Sequence, residues 1–125
     1  MFHRTTEGMR ITAQPYFLRD HSDPEEERYV FAYHVRIENT GDAPAQLLWR
    51  HWYIHDPVGG DTEVEGEGVV GEMPLIGPGE AHEYQSFCML QGPSGHMDGY
   101  YEFRRPDGSR FRAAIPRFLF RVYEA

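Results

Sequence analysis

Between positions 29 and 37 every odd residue is apolar and either aromatic or β-branched (Tyr29, Phe31, Tyr33, Val35, Ile37), while the even positions include His34 and Arg36. Successive side chains of a strand point to opposite faces, so this alternation predicts a half-buried strand with its odd face inward. Leu48, Trp52 and Ile54 form a similar inward set in the next run, interrupted by Arg50. Further short apolar runs lie at 9–13, 82–90, 97–103, 111–115 and 118–122, and none sustains the 3.6-residue period of an amphipathic helix. Turn residues punctuate them at Asn39-Thr40-Gly41-Asp42, Asp56-Pro57-Val58-Gly59-Gly60-Asp61, Gly77-Pro78-Gly79, Gly92-Pro93-Ser94-Gly95 and Pro106-Asp107-Gly108. Asp23-Pro24-Glu25-Glu26-Glu27 reads as a solvated connection.

About seven strands with no helical period predict an all-β protein, because each of two antiparallel sheets must cover its single apolar face with the other. The expected architecture is an immunoglobulin-like or fibronectin type III-like β-sandwich, with an up-and-down barrel as the alternative. Tyr33, Val35, Ile37, Trp52, Tyr101 and Phe111 are expected in one core. A length of 125 residues sets one domain over 1–125.

Charge narrows the function classes. All 12 basic residues are Arg, which removes a Schiff-base amine, a Walker lysine and a lysine general base. The net charge of −8 is unevenly spread: residues 51–103 hold 10 acids and no Arg, whereas 104–125 hold 6 Arg against 2 acids. Duplex nucleic acid is a poor partner for such a chain, since affinity there comes from neutralising phosphates. Arg104, Arg105, Arg110 and Arg112 are expected beside the central acids as surface pairs. Cys88 is the only cysteine, so no internal disulfide forms, and without a nearby cation it is expected to be a buried, inert thiol. No 18-residue apolar stretch or apolar leader is present, which predicts no membrane partner and a cytoplasmic location.

Candidate chemistry is sparse. Gly66-Glu67-Gly68-Val69-Val70-Gly71 matches G-x-G-x-x-G, but Pro74 blocks the helix that a dinucleotide-binding fold needs there. Glu65, Glu67 and Glu72 would also repel a phosphate. The run reads as a glycine loop bending a strand at a sheet edge. The alternative is a nest of N–H groups that binds pyrophosphate, with Gly66, Gly68 and Gly71 as ligand-binding positions and arginines supplied from elsewhere. His51 and His55 share a strand face but lie about 13 Å apart, too far to ligate one ion. Glu63, Glu65 and Glu67 read as a charged edge strand. Ser94 sits in a turn without the nucleophile-elbow spacing. No catalytic set, metal site or cofactor is predicted.

If Leu48, Trp52 and Ile54 face the core, then Leu47, Trp49, His51, Tyr53 and His55 alternate to the other side. Trp49, His51, Tyr53 and His55 then form an aromatic stripe suited to a protein interface.

The stretch from 22 to 118 resembles the ApaG family. The matching pieces are Ser22-Asp23-Pro24; Tyr33, Val35 and Ile37-Glu38-Asn39; Gln46-Leu47-Leu48 with Arg50-His51-Trp52-Tyr53-Ile54; and the glycine run continuing through Glu72-Met73-Pro74-Leu75. Pro78-Gly79-Glu80, Tyr84-Gln85-Ser86, Pro93-Ser94-Gly95-His96-Met97-Asp98-Gly99 with Tyr101, and Ile115-Pro116 with Phe118 complete them in order. The resemblance implies a fibronectin type III-like sandwich and a non-enzymatic binding or regulatory module associated with cobalt resistance and magnesium efflux. It implies protein interaction as the mode of action and pyrophosphate at the glycine motif as the alternative. Glu67 inside that motif, Pro57-Val58-Gly59-Gly60 and Phe87 depart from the usual family pattern. The expected partner is another protein, with self-association into a homodimer through an uncovered edge strand as part of the same expectation.

Overall fold

A computed structural model describes residues 2–122 of the chain. Its described residues form nine strands and two single-turn 3-10 helices, with no α-helix. The strands are β1 (Phe2–Thr6), β2 (Met9–Phe17), β3 (Tyr29–Asn39), β4 (Ala45–His55), β5 (Thr62–Glu67), β6 (Leu75–Ile76), β7 (Ala81–Leu90), β8 (Ser94–Arg104) and β9 (Arg110–Arg121). One antiparallel sheet runs β1-β2-β3-β7, and the other runs β5-β4-β8-β9, with β6 pairing onto β4. The two pack face to face as the expected sandwich. Nine strands replace the expected seven, because β1, β5 and the two-residue β6 add to the runs whose alternation is visible, and the runs at 111–115 and 118–122 join into β9.

That junction is a bulge. Met97 of β8 pairs with Phe118 and Gly99 with Ile115, so β9 carries one extra residue beside Pro116 and its inward positions change from Ala113 and Ile115 to Phe118 and Phe120. A proline without an N–H is tolerated where the ladder is already broken.

A second bulge corrects the sequence reading of β4. Leu47 pairs with Phe103 and Trp49 with Glu102, which leaves Leu48 as the extra residue. Ala45 and Leu47 are fully buried before the bulge, and Trp52 is buried after it. Leu47 is therefore core and Leu48 is not, the reverse of the expectation, because one inserted residue flips every side chain on one side of it.

Tyr33, Val35, Ile37, Trp52 and Tyr101 share the core as expected, and Phe111 packs against it while partly exposed. The aromatic centre is oriented rather than merely filled: Trp52 meets Tyr33 edge-on at 5.4 Å and Phe118 at 5.8 Å between ring centroids. Buried Asn39 is satisfied by Ala43 O, Ile76 O and the Gly41 N–H, which ties the β3–β4 turn to β6. Asp56 does the same after β4: its carboxylate accepts the Val58 N–H at 3.0 Å and the Gln91 N–H at 2.8 Å. Of the four arginines expected to pair with acids, only Arg110 does so among the described residues, with Glu102 at 3.6 Å. Arg104 bonds Gln46, Arg105 caps carbonyls of Ala43 and Glu7 while covering the Phe111 ring, and Arg112 covers the Tyr100 ring.

Candidate functional site

The outer face of the five-stranded sheet carries the predicted stripe. Beyond the Leu48 bulge the odd residues of β4 all point outward, so Trp49, His51, Tyr53 and His55 follow one another along the second strand of the sheet. Each meets an acid or a further ring across the sheet. Trp49 lies between Glu67 and Glu102, His51 between Glu65 and Tyr100, Tyr53 between Glu63 and Asp98, and His55 beside His96. Cross-strand neighbours of this kind are the contacting pairs of a sheet surface.

The rings form an ordered stack. His51 packs on Tyr53 at 4.7 Å and on Tyr100 at 5.2 Å, and the Arg112 guanidinium lies over the Tyr100 ring, 4.3 Å from its centroid. The Tyr100 hydroxyl lies 3.3 Å from His51 Nδ1, and Glu63 Oε1 lies 3.1 Å from Nε2. Nε2–H donates to the Glu63 carboxylate, and Nδ1, which the Tyr100 hydroxyl meets, also lies 3.7 Å from Glu65 Oε2. His51 is thereby held with only 12% of its side chain exposed, whereas Tyr53 remains 42% exposed.

At the end of the stripe a cleft of about 600 Å³ opens between Tyr53, His55, Asp61, His96, Asp98 and Arg117. His55 Nδ1–H donates to Asp61 Oδ1 at 2.6 Å and the ring stacks on His96 at 4.6 Å, while Arg117 Nε donates to Asp98 Oδ2 at 2.8 Å. Among the described residues no three His, Cys, Asp or Glu side chains are grouped as metal ligands. His96 Nδ1 is buried and has no hydrogen-bond partner among the described residues. Burial, then the Arg117 and His55 charges, hold the His96 ring below its ordinary value of 6.5.

The glycine run lies past the opposite end of β5. Gly66 still belongs to that strand and pairs with Arg50, whose guanidinium crosses its α-carbon; a Cβ there would stand 2.9 Å from Arg50 Nη2. Arg50 Nη1 donates to Glu67 O at 2.9 Å and Gly68 O at 3.1 Å. Gly68 N–H donates to Leu48 O, and Val69 and Glu72 exchange N–H···O bonds of 2.8 and 3.0 Å around Val70 and Gly71. Both of these central residues have positive φ, the requirement of a type I′ turn. The arginine that the pyrophosphate alternative asks for is present and binds backbone carbonyls, while the N–H of Gly68 is bonded to Leu48 of β4 and those of Val69 and Glu72 within the turn.

Cys88 is buried, and that burial pushes its thiol up to about 12, as an inert core sulfur requires.

Over residues 19–105 the chain matches the family model described as ApaG domain. This chain belongs to the ApaG family. It is similar to Protein ApaG of Paramagnetospirillum magneticum, 48% identical over 94% of this chain and 91% of that protein. Protein ApaG of Sinorhizobium fredii is 42% identical over the same shares of the two chains. The crystal structure described as an ApaA protein from Bordetella pertussis superposes with a TM-score of 0.90 at 43% identity, covering 94% of this ApaG chain and 95% of that one.

The predicted stripe positions are thus brought together, while Gly66 lies within β5 and Gly68 and Gly71 shape the turn beyond its other end. Sequence reasoning missed Tyr100, His96 and Asp61 because they join the stripe only across the sheet. It also passed over Arg50, whose signal was visible as a charge breaking an otherwise apolar inward set.

Proposed function

We propose that this ApaG chain is a non-enzymatic binding module that acts by protein–protein interaction through the outer face of its five-stranded sheet. The observation that carries this is the ordered stack Tyr53–His51–Tyr100–Arg112 beside the exposed end of the stripe. Rings already immobilised in the free protein lose little entropy on binding, and Trp and Tyr are the side chains that most often anchor interfaces. Asp61, Glu63, Glu65 and Glu67 rim the face along and beside β5, which suits a partner with a basic surface. The setting taken from the family resemblance is divalent-cation homeostasis, with the module regulating rather than transporting cobalt or magnesium.

The test is affinity capture of the tagged chain's partner from its own cell extract, comparing the parent with a Trp49→Ala, Tyr53→Ala double variant. Loss of the captured protein, with the β-sheet circular dichroism retained, is expected. A folded double variant that still captures the same protein refutes the assignment of the face.

A further inference from the structure

Sandwich edges are open to further strand pairing, and proteins defend them with charge, bulges, proline or cover. β5, at the edge of the five-stranded sheet, carries Glu63, Glu65 and Glu67. β7, at the edge of the four-stranded sheet, carries neither charge, proline nor bulge over its last seven residues, 84–90, and among the described residues no further strand pairs with its far side. Bonds at the ends of the sheet settle which way its backbone points. Asn39 N donates to Glu80 O and Leu18 N to Val30 O, each at 2.9 Å, while Gln91 N turns away from β3 to Asp56 Oδ2 at 2.8 Å. Alternation along an antiparallel ladder then aims the N–H and C=O groups of Glu83, Gln85, Phe87 and Met89 off the free edge. Of these four residues, Glu83 and Gln85 present polar side chains to solvent, whereas Phe87 and Met89 are large, apolar and 62% and 64% exposed.

Beside this edge the two sheets part. A cleft of about 300 Å³ enters the sandwich between β7 and β5, lined by Tyr33, Arg50, Trp52, Val64, Ser86 and Met97. Arg50 is its one cation. One guanidinium nitrogen is bound to loop carbonyls, and among the described residues the arginines that pair with carboxylates do not include Arg50.

We propose that the free edge of β7 receives an extended segment of a partner protein as an added strand, with alternate side chains of that segment entering the flank cleft and one carboxylate among them meeting Arg50. Main-chain pairing supplies affinity in this mode of recognition, and the pocket beside the edge supplies specificity. A second copy fits the edge less well. Two β7 edges joined about a two-fold axis would set two empty clefts against each other, because Tyr84 and Cys88 already belong to their own sandwich. Both copies would also carry a net charge of −8. A foreign strand brings inward side chains that are free to enter, and a carboxylate for the unpaired guanidinium. This surface lies apart from the stripe on the outer face of β4, and neither depends on the other.

The probe is a random dodecapeptide library displayed on phage and panned against the full chain, with selected peptides then titrated into isotopically labelled protein. Selected sequences are expected to alternate apolar residues and to carry an Asp or Glu, and binding should slow amide exchange at Gln85, Phe87 and Met89. Gln85→Pro and Met89→Pro each remove an outward N–H while leaving the bonds to β3, so each should weaken binding about tenfold in a protein that stays folded. Exchanging the peptide carboxylate for its amide should weaken binding to the parent severalfold and leave binding to Arg50→Gln unchanged. A library that yields no binder, binders that protect other amides, or full affinity in both folded proline variants overturns the proposal. Protection of the same amides that rises with protein concentration and needs no peptide assigns the edge to a second copy, and overturns it as well.

Discussion

Gly68→Ala should cost far more than Gly71→Ala, although both replace a glycine of the same motif. Each sits at positive φ, +60° for Gly68 and +77° for Gly71, so each alanine carries a left-handed backbone penalty of about 1 kcal/mol. At Gly71 nothing lies within 4 Å of the added Cβ, and that penalty is the whole effect. At Gly68 the Cβ would stand 2.1 Å from Glu72 O, a backbone atom that cannot rotate away. Relief requires the two sides of the turn to separate, which breaks the paired Val69 and Glu72 bonds and strains the Gly68 N–H to Leu48 O bond. At about 1 kcal/mol net for each backbone bond, Gly68→Ala should lose about 3–4 kcal/mol in all. Denaturant titration followed by Trp fluorescence measures the difference directly, and thermal melts should separate the variants by roughly 10 °C for a domain of this size. Equal losses in the two variants would mean that the close approach of Glu72 is not what demands glycine at position 68, and the structural account of the motif would fail.

Val70 has φ +48° in the same turn, a conformation that β-branched residues resist. Val70→Asn creates the favoured Asn-Gly pair and should raise stability by about 1 kcal/mol, read from the same titration. For Asp56, burial would raise the carboxyl pKa, but backbone N–H bonds from Gln91, Gly59, Val58 and Gly92 outweigh it and hold the group below its ordinary 3.8. A folded value below the unfolded one means that its contribution is intact above pH 3.8 and is lost as pH falls through the folded value. Asp56→Asn should therefore cost about 2 kcal/mol at neutral pH and flatten the stability profile in that acid window, and a parent-like slope there would refute the linkage.

Alternation along β3, turn residues at five sites and the absence of a helical period were enough to specify two facing antiparallel sheets, because burying one face of every strand is a local demand written into each run. The stripe was legible for the same reason: Trp49, His51, Tyr53 and His55 have one parity, and parity survives without knowledge of neighbours. What failed was the point at which parity changes. Leu47 and Leu48 are both apolar, so either could have been the inward residue, and only the pairing of Leu47 with Phe103 and Trp49 with Glu102 decides it. A bulge is a mismatch in length between two strands, and one strand's sequence does not contain the other's register. The same holds for the site. Tyr100 stacks on His51, and His96 on His55, at sequence separations of 49 and 41. The glycine pattern matched a nucleotide motif in spelling, yet the tertiary structure uses it to pass Arg50 over Gly66 and to bring Glu72 O against Gly68. Local sequence determined which segments become strands and which faces they bury. Chain pairing alone determined which residues of distant strands meet, since that depends on register, and register is a property of two strands together.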